Sequence, residues 1–155
     1  MNYRKELRIE LVMLLIVSLI AADAADGKAK FVGGTLTEFK SGQEGILGIT
    51  QADVMTFGSK QQSVEIPFAQ VQSIEYGQKV DRRYLEAILI SPMFLLSKRR
   101  DHYLTVHYKD SKGRDQAIVL QLPKGAVRPT LASLEARTGL KVMVQDDEAR
   151  KTYRS

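Results

Sequence analysis

Period-two alternation of apolar and polar residues is the feature that most constrains how this chain can fold. Between 63 and 68, Val64, Ile66 and Phe68 fall on one side, with Ser63 and Glu65 on the other. The same alternation recurs over 102–109 and 116–122, where the in-phase apolar residues are Leu104, Val106, Tyr108, Ile118, Leu120 and Leu122. Successive side chains of a strand point to opposite faces of a sheet. The pattern therefore predicts half-buried strands.

Shorter apolar segments separated by turn residues extend this interpretation toward the N-terminus. They predict further strands over 31–39, 44–50, 53–57 and around 74–76, the first of them bent at Gly33 and Gly34. Residues 110–114 predict a hairpin loop in which Gly113 can adopt a positive φ.

The period changes after the last long strand. Val127, Leu131 and Leu134 are spaced as one stripe of a helix. Pro129 suits the first turn of that helix and Gly139 suits its C-terminal end. Residues 141–145 predict a short strand, and the charged segment 146–155 predicts a disordered tail.

The N-terminus has the order of an export signal. Arg4, Lys5 and Arg8 precede an apolar run over 11–22, and small residues close it at Ala22 to Ala25. This order is typical of a cleaved secretory signal, and a run of this length is short for a transmembrane helix. An uncleaved anchor or a buried helix stays an alternative. We predict a signal peptide over 1–24 and a single domain over 25–145, exported to the periplasm or secreted and possibly membrane-associated.

Composition limits the chemistry that the chain can perform. The 155 residues contain no cysteine, which excludes a thiol nucleophile, a lipoprotein anchor and cysteine-based zinc sites. The formal charge of +5 favours an anionic partner, such as lipid head groups, nucleic acid or an acidic protein. Export makes nucleic acid the least expected of these.

The order of short antiparallel strands followed by one helix resembles the pleckstrin-homology superfold, including its GRAM-like and bacterial relatives. The resemblance lies in the segments 45–50, 54–57 and 64–76 and in the closing helix around 131–137. It implies a mainly β fold: an antiparallel barrel of about seven strands capped by one C-terminal α-helix. Lipid-binding members of that superfold carry a basic cluster in the loop between the first two strands. Here the loop 38–43 has one lysine, so phosphoinositide binding at that position is not expected.

An apolar stretch at 85–96 breaks the strand pattern and looks like an insertion between the fifth and sixth strands. Pro92 interrupts it, and basic residues stand on both sides. One interpretation is that its side chains fill the core. The other is a surface that inserts into a membrane interface or meets a partner protein, with cations against phosphates. The residues predicted to form that contact are Arg82, Arg83, Ile90, Phe94, Lys98, Arg99 and Arg100.

The sequence offers little for catalysis. His102 shares the apolar phase of its strand, whereas His107 is out of phase and predicted to face solvent. No serine-hydrolase, zincin or phosphate-loop motif is present. A hydrolase using carboxylates such as Asp53 or Glu65 remains the enzymatic alternative. We predict a non-enzymatic binding or scaffolding module of the bacterial cell envelope, without cofactor or metal, whose partner is another protein or an anionic membrane surface.

Overall fold

A computed structural model describes residues 26–79, 89–95 and 100–154. The predicted signal peptide at 1–24 lies outside these residues. So do Arg82, Arg83, Lys98 and Arg99 of the predicted contact surface.

The first half of the chain forms an antiparallel meander of four strands. These are β1 (Gly27–Gly34), β2 (Glu44–Gly48), β3 (Val54–Gly58) and β4 (Ser63–Pro67). A one-turn 3-10 helix, Phe68–Gln70, then leads into β5 (Val71–Gly77). The pairs Met55↔Ile66 and Phe57↔Val64 put the in-phase apolar residues of β3 and β4 on one face.

The second half adds the remaining elements. After β5 come the two-residue strand β6 (Leu89–Ile90) and the one-turn helix α1 (Pro92–Leu95). The long strands β7 (His102–Lys109) and β8 (Asp115–Leu122) form a hairpin. A 3-10 turn, Lys124–Ala126, is followed by α2 (Val127–Thr138), β9 (Met143–Val144) and α3 (Asp147–Arg154).

The described strands form one sheet in the order β4-β3-β2-β1-β8-β7-β5-β9, with β6 paired to β1. Every pairing is antiparallel except that of β5 with β9. The hydrogen-bonded path through the described residues is open, from β4 at one end to β9 at the other. The predicted mainly β fold is therefore confirmed, together with the helix that follows the last long strand.

The main core lies between the inner face of the sheet and α2. Val127, Leu131 and Leu134 of α2 are fully buried in one cluster with apolar residues of β1 to β5, β7 and β8. The α2 helix ends at Gly139, which has a φ of 72° and donates its N–H to the Glu135 carbonyl. The predicted stripe and stop of this helix are both confirmed.

Phe39 closes one end of this core. It belongs to the 35–43 connection, which leaves the sheet after β1, whereas the sequence predicted a strand continuing to residue 39. The Phe39 ring lies 5.4 Å from that of Phe31 and 5.3 Å from that of Phe57, measured between centroids. Burial of the Phe39 ring favours the conformation in which the connection folds back over the sheet.

A second, smaller core lies on the opposite face of the sheet. Val32 follows Phe31 in β1 and lies on this face, and the register of β1 against β8 shifts at the same point, between Phe31 and Gly33. Val32 packs there with Tyr103, Ala117 and Val119, and the half-buried side chains of Ile90 and Phe94 cover them. The segment 89–95 is thus a cover for the outer face of the sheet.

The C-terminal segment corrects the predicted disordered tail. Residues 147–154 form α3, in which Ala149 is fully buried. The carboxylate of Asp146 accepts the Ala149 N–H at 2.6 Å, so it caps the helix, and it accepts the Gln78 N–H at 2.8 Å. The high charge of this segment predicted a solvent-exposed tail. A short helix nevertheless packs here, because Ala149 is buried and Asp146 caps the helix.

Candidate lysine groove

A groove of about 1200 Å³ lies on the outer face of the N-terminal strands. Lysines from three parts of the chain line it: Lys28 and Lys30 from β1, Lys40 from the 35–43 connection, and Lys60 from the β3–β4 turn. Among the described residues that line it, Glu44 is the only acidic one. We call this surface the lysine groove.

Strand register brings the floor of the groove together. Lys28 is opposite Ile46, which is opposite Gly58, so these positions form one row across β1, β2 and β3. Lys30 stands between Glu44 of β2 and Gln121 of β8. Ile46 is 48% exposed in this floor, whereas the next residue, Leu47, is buried in the main core. The alternation of β2 thus leaves one apolar side chain among the lysines.

Backbone hydrogen bonds fix one wall of the groove. The Phe31 N–H donates to the Gln43 carbonyl at 2.8 Å, and the Gly42 N–H donates to the Phe31 carbonyl at 2.7 Å. The hydroxyl of Ser41 donates to the Val32 carbonyl at 2.7 Å. The connection that carries Lys40 is therefore tied to β1 at several points.

A side-chain bond joins this wall to the opposite one. The amide Nε2 of Gln43 donates to the Ser59 hydroxyl at 2.8 Å, which links the connection to the β3–β4 turn. That turn is closed by the Ser59 N–H and the Gln62 carbonyl, at 2.8 Å. The backbone of the groove is thus organised before any ligand arrives.

Close approach of β2 and β3 underlies the groove. A Cβ atom at Gly45 would lie 2.5 Å from the Gly58 carbonyl oxygen and 2.8 Å from the Phe57 ring. Both distances are well below normal contact, so only glycine fits here without shifting the strands.

The groove carries a surplus of positive charge. Lys30 forms an ion pair with Glu44 at 3.7 Å. Within the described ranges, no carboxylate pairs with the exposed lysines Lys28, Lys40 and Lys60. Exposed ammonium groups in a concave surface raise the local positive potential, which favours an anion or an anionic surface.

The sequence did not predict the lysine groove, because its residues come from four separate segments. The predicted contact surface lies elsewhere. Ile90 and Phe94 pack on the second core, and Arg100 donates to Glu148 of α3 at 3.1 Å. The structure brings Ile90 and Phe94 together, but it places Arg100 against the C-terminal helix.

The two histidines are held by polar neighbours. His102 is buried, and its Nδ1 shares a hydrogen bond of 2.6 Å with the Tyr76 hydroxyl. The prediction that His107 faces solvent was wrong. Its side chain is 22% exposed, and its Nε2 lies 3.7 Å from a Glu75 carboxylate oxygen. The outer face is covered here, so being out of phase with the main core did not mean exposure.

Burial controls the titration of these groups. It lowers the pKa of His102, and the positive charge of Lys124 lowers it further, whereas Asp101 opposes this change. Burial also lowers the pKa of His107, against the opposing effect of Glu75. The pKa of Tyr103 is raised to about 12, first by burial and then by Asp101. Neutral forms of all three are therefore favoured.

Asp53 and Glu65, the carboxylates of the hydrolase alternative, are both exposed. Across residues 26–79, 89–95 and 100–154, no three histidine or acidic side chains are grouped so that they could hold a metal ion. No helix within those ranges has the length and hydrophobicity to span a bilayer. Comparison of the sequence with protein-family models and with curated proteins gives no match.

Proposed function

We propose that this protein is a non-enzymatic binding module of the bacterial cell envelope that holds an anionic partner in the lysine groove. The observation that carries the proposal is the set of four lysines around one exposed isoleucine, with a single acidic residue among them. Such a surface binds by charge and apolar contact and requires no reactive group.

A pleckstrin-homology-like barrel is the fold that we propose for the binding domain. The four-strand meander, the three long strands β5, β7 and β8, and the helix α2 against the core support it. Closure of the sheet into a barrel is part of this proposal. In such an arrangement the lysine groove lies on the outside, away from the packed interior.

Export is proposed from the N-terminal residues. Basic residues, an apolar run and Ala22 to Ala25 follow one another as in a secretory signal. Intact-mass analysis of protein recovered from the envelope fraction tests this, and the mature chain should begin near Ala25. A full-length mass or purely cytosolic fractionation would contradict it.

Retention on phosphocellulose tests whether the groove binds anions. Lys28→Ala combined with Lys30→Ala should lower the salt concentration needed for elution. The control is Lys112→Ala combined with Lys151→Ala, which removes the same charge from exposed positions outside the groove. A site-specific groove makes the first pair lose more than the second. Equal losses would mean that only net charge matters, and the proposed site would be wrong.

A second candidate function is docking of the 85–96 segment on a membrane or partner. Met93, in α1, is 67% exposed, which makes it the most exposed large apolar side chain of the described residues. The neighbouring Phe94 packs on the sheet and would hold Met93 outward. This candidate uses a different surface from the lysine groove, so the two can be tested separately.

A further inference from the structure

We infer that the ligand of the lysine groove is a linear acidic polysaccharide, a chain of sugars carrying carboxylate or sulfate groups. Its charges would meet the lysines, and its hydroxyls would meet glutamine amides in the same groove. This inference rests on the proposed function and deepens it by naming the class of ligand.

The spacing of the lysines favours a ligand with several separated charges. Lys28 and Lys30 are two residues apart on β1, which is about 7 Å along a strand. Gly58 lies two strands away from Lys28, or about 10 Å, and Lys60 is farther along the same turn. A single small anion would meet one or two of these ammonium groups. A chain with repeated charges can meet them all.

Amide side chains stand between the lysines and are available to a ligand. Gln61 and Gln62 lie in the β3–β4 turn, and Gln121 is opposite Lys30. In the part of the chain that the structure describes, the side chains of these three glutamines make no hydrogen bond to protein, whereas Gln43 is used to tie the walls together. An amide offers both a donor and an acceptor, which is what a sugar hydroxyl requires.

The size of the groove suits an extended ligand. Its volume of about 1200 Å³ exceeds the ~300–1,000 Å³ typical of pockets for drug-sized molecules, and it is open to solvent. An oligosaccharide of several units can therefore lie along its floor. Ile46 in that floor can contact the apolar C–H face of a sugar ring.

The sheet also disfavours an acidic polypeptide in this position. An extended peptide commonly binds by adding to a free strand edge, which pairs its backbone. Two strands of the groove floor are paired on both edges, β1 with β2 and β8, and β2 with β1 and β3. A peptide lying across these strands would therefore depend on side chains for every hydrogen bond.

Calorimetric titration of the full chain tests the inference with three probes: alginate oligosaccharides, poly-L-glutamate of matched charge, and anionic phosphatidylglycerol vesicles. Neutral dextran oligosaccharides serve as the uncharged control. The groove variant is Lys28→Ala with Lys30→Ala, and the amide variant is Gln61→Leu with Gln121→Leu. Circular dichroism on each variant verifies folding.

We expect alginate to bind and dextran not to bind. The groove variant should weaken alginate binding by about tenfold or more, equivalent to about 1.4 kcal/mol. The amide variant should also weaken alginate binding by about tenfold, with less than about twofold change for poly-L-glutamate. Lys112→Ala with Lys151→Ala should leave the alginate affinity within about twofold.

The failures are distinguishable. If poly-L-glutamate or the vesicles bind in a lysine-dependent way and alginate is not preferred, the polysaccharide inference is wrong and the proposed function stands. If the amide variant binds alginate as tightly as the wild type, the polysaccharide inference is also wrong, because charge alone would explain the affinity. Absence of binding to all three anionic probes would overturn both proposals.

Discussion

The hydroxyl of Tyr76 and Nδ1 of His102 share a hydrogen bond of 2.6 Å inside the core, and their rings stack with centroids 6.0 Å apart. Tyr76 is fully buried in β5 and His102 is buried at the start of β7. The bond therefore joins two strands at a position where water cannot easily replace either partner.

Tyr76→Phe should destabilise the protein by about 1–3 kcal/mol, because it leaves a buried imidazole nitrogen without this bond. It also removes the interaction of the hydroxyl with the side chains of Thr152 and Gln78. Urea unfolding followed by circular dichroism measures the loss. Tyr108→Phe is the matched control: Tyr108 is also buried, but none of the described residues bonds its hydroxyl, so the change should stay within about 0.5 kcal/mol. Equal losses in the two variants would show that the Tyr76 bond contributes nothing of its own.

The buried histidines make stability depend on pH. The pKa of His102 in the folded state is lowered from 6.5, so below that pH the unfolded chain binds more protons than the folded one. The contribution of His102 to stability is therefore fully present above pH 6.5, and it is lost as the pH falls from 6.5 toward the folded-state pKa. His107 changes in the same direction.

Urea unfolding between pH 8 and pH 5.5 checks this dependence. The free energy of unfolding should fall below about pH 6.5, by at most about 1.4 kcal/mol per pH unit for each histidine. His102→Gln should flatten the curve relative to the wild type. A curve that is level through this range, or one that rises toward acid, would contradict the lowered pKa.

Alternation and period were sufficient to predict most elements of this fold. The strands around 64–66, 102–109 and 116–122 were recovered because their apolar residues face one core. The prediction for His107 failed because the sheet has a second covered face, and a half-buried pattern cannot show that both sides are covered. The docked helix α3 was missed because it rests on Ala149 and on the Asp146 cap.

The lysine groove was beyond what the sequence could show. Lys28 and Lys60 are far apart in the chain, and they come near each other through the register of β1, β2 and β3. Each lysine by itself looks like ordinary surface charge. The basic residues that flank 85–96, in contrast, were predicted as a contact surface because their charges are adjacent in the sequence.

Substitutions in 89–95, the segment that covers the second core, test the second candidate function, docking of 85–96 on a membrane or partner. Phe94→Asp should lower stability by about 1–3 kcal/mol, because it places a carboxylate against the apolar side chains of the second core. Met93→Asp should leave stability within about 0.5 kcal/mol, since Met93 is mostly exposed.

Liposome flotation of the same variants then separates packing from docking. If the segment docks on anionic vesicles, the wild type floats and Met93→Asp floats less while remaining folded. A wild type that stays in solution would exclude docking on such membranes. Loss of flotation only in the destabilised Phe94→Asp variant would also contradict docking through Met93.

The carboxylate of Asp146 connects the C-terminal helix α3 to the end of β5, so its removal should weaken both elements. It accepts the N–H of Gln78 at the end of β5 and the N–H of Ala149 in the first turn of α3. Asp146→Ala removes both bonds and should destabilise the protein by about 1.5–3 kcal/mol.

Asp147→Ala is the natural control, because this neighbouring side chain is 90% exposed and, within the described residues, its ion pair is the local one with Arg150. Its loss should be under about 0.5 kcal/mol. Hydrogen exchange gives the location of the effect: in Asp146→Ala, protection should fall at the amides of Gln78 and Ala149 together, since one carboxylate serves both. If only the Ala149 amide lost protection, Asp146 would be a helix cap without a role in holding α3 to β5.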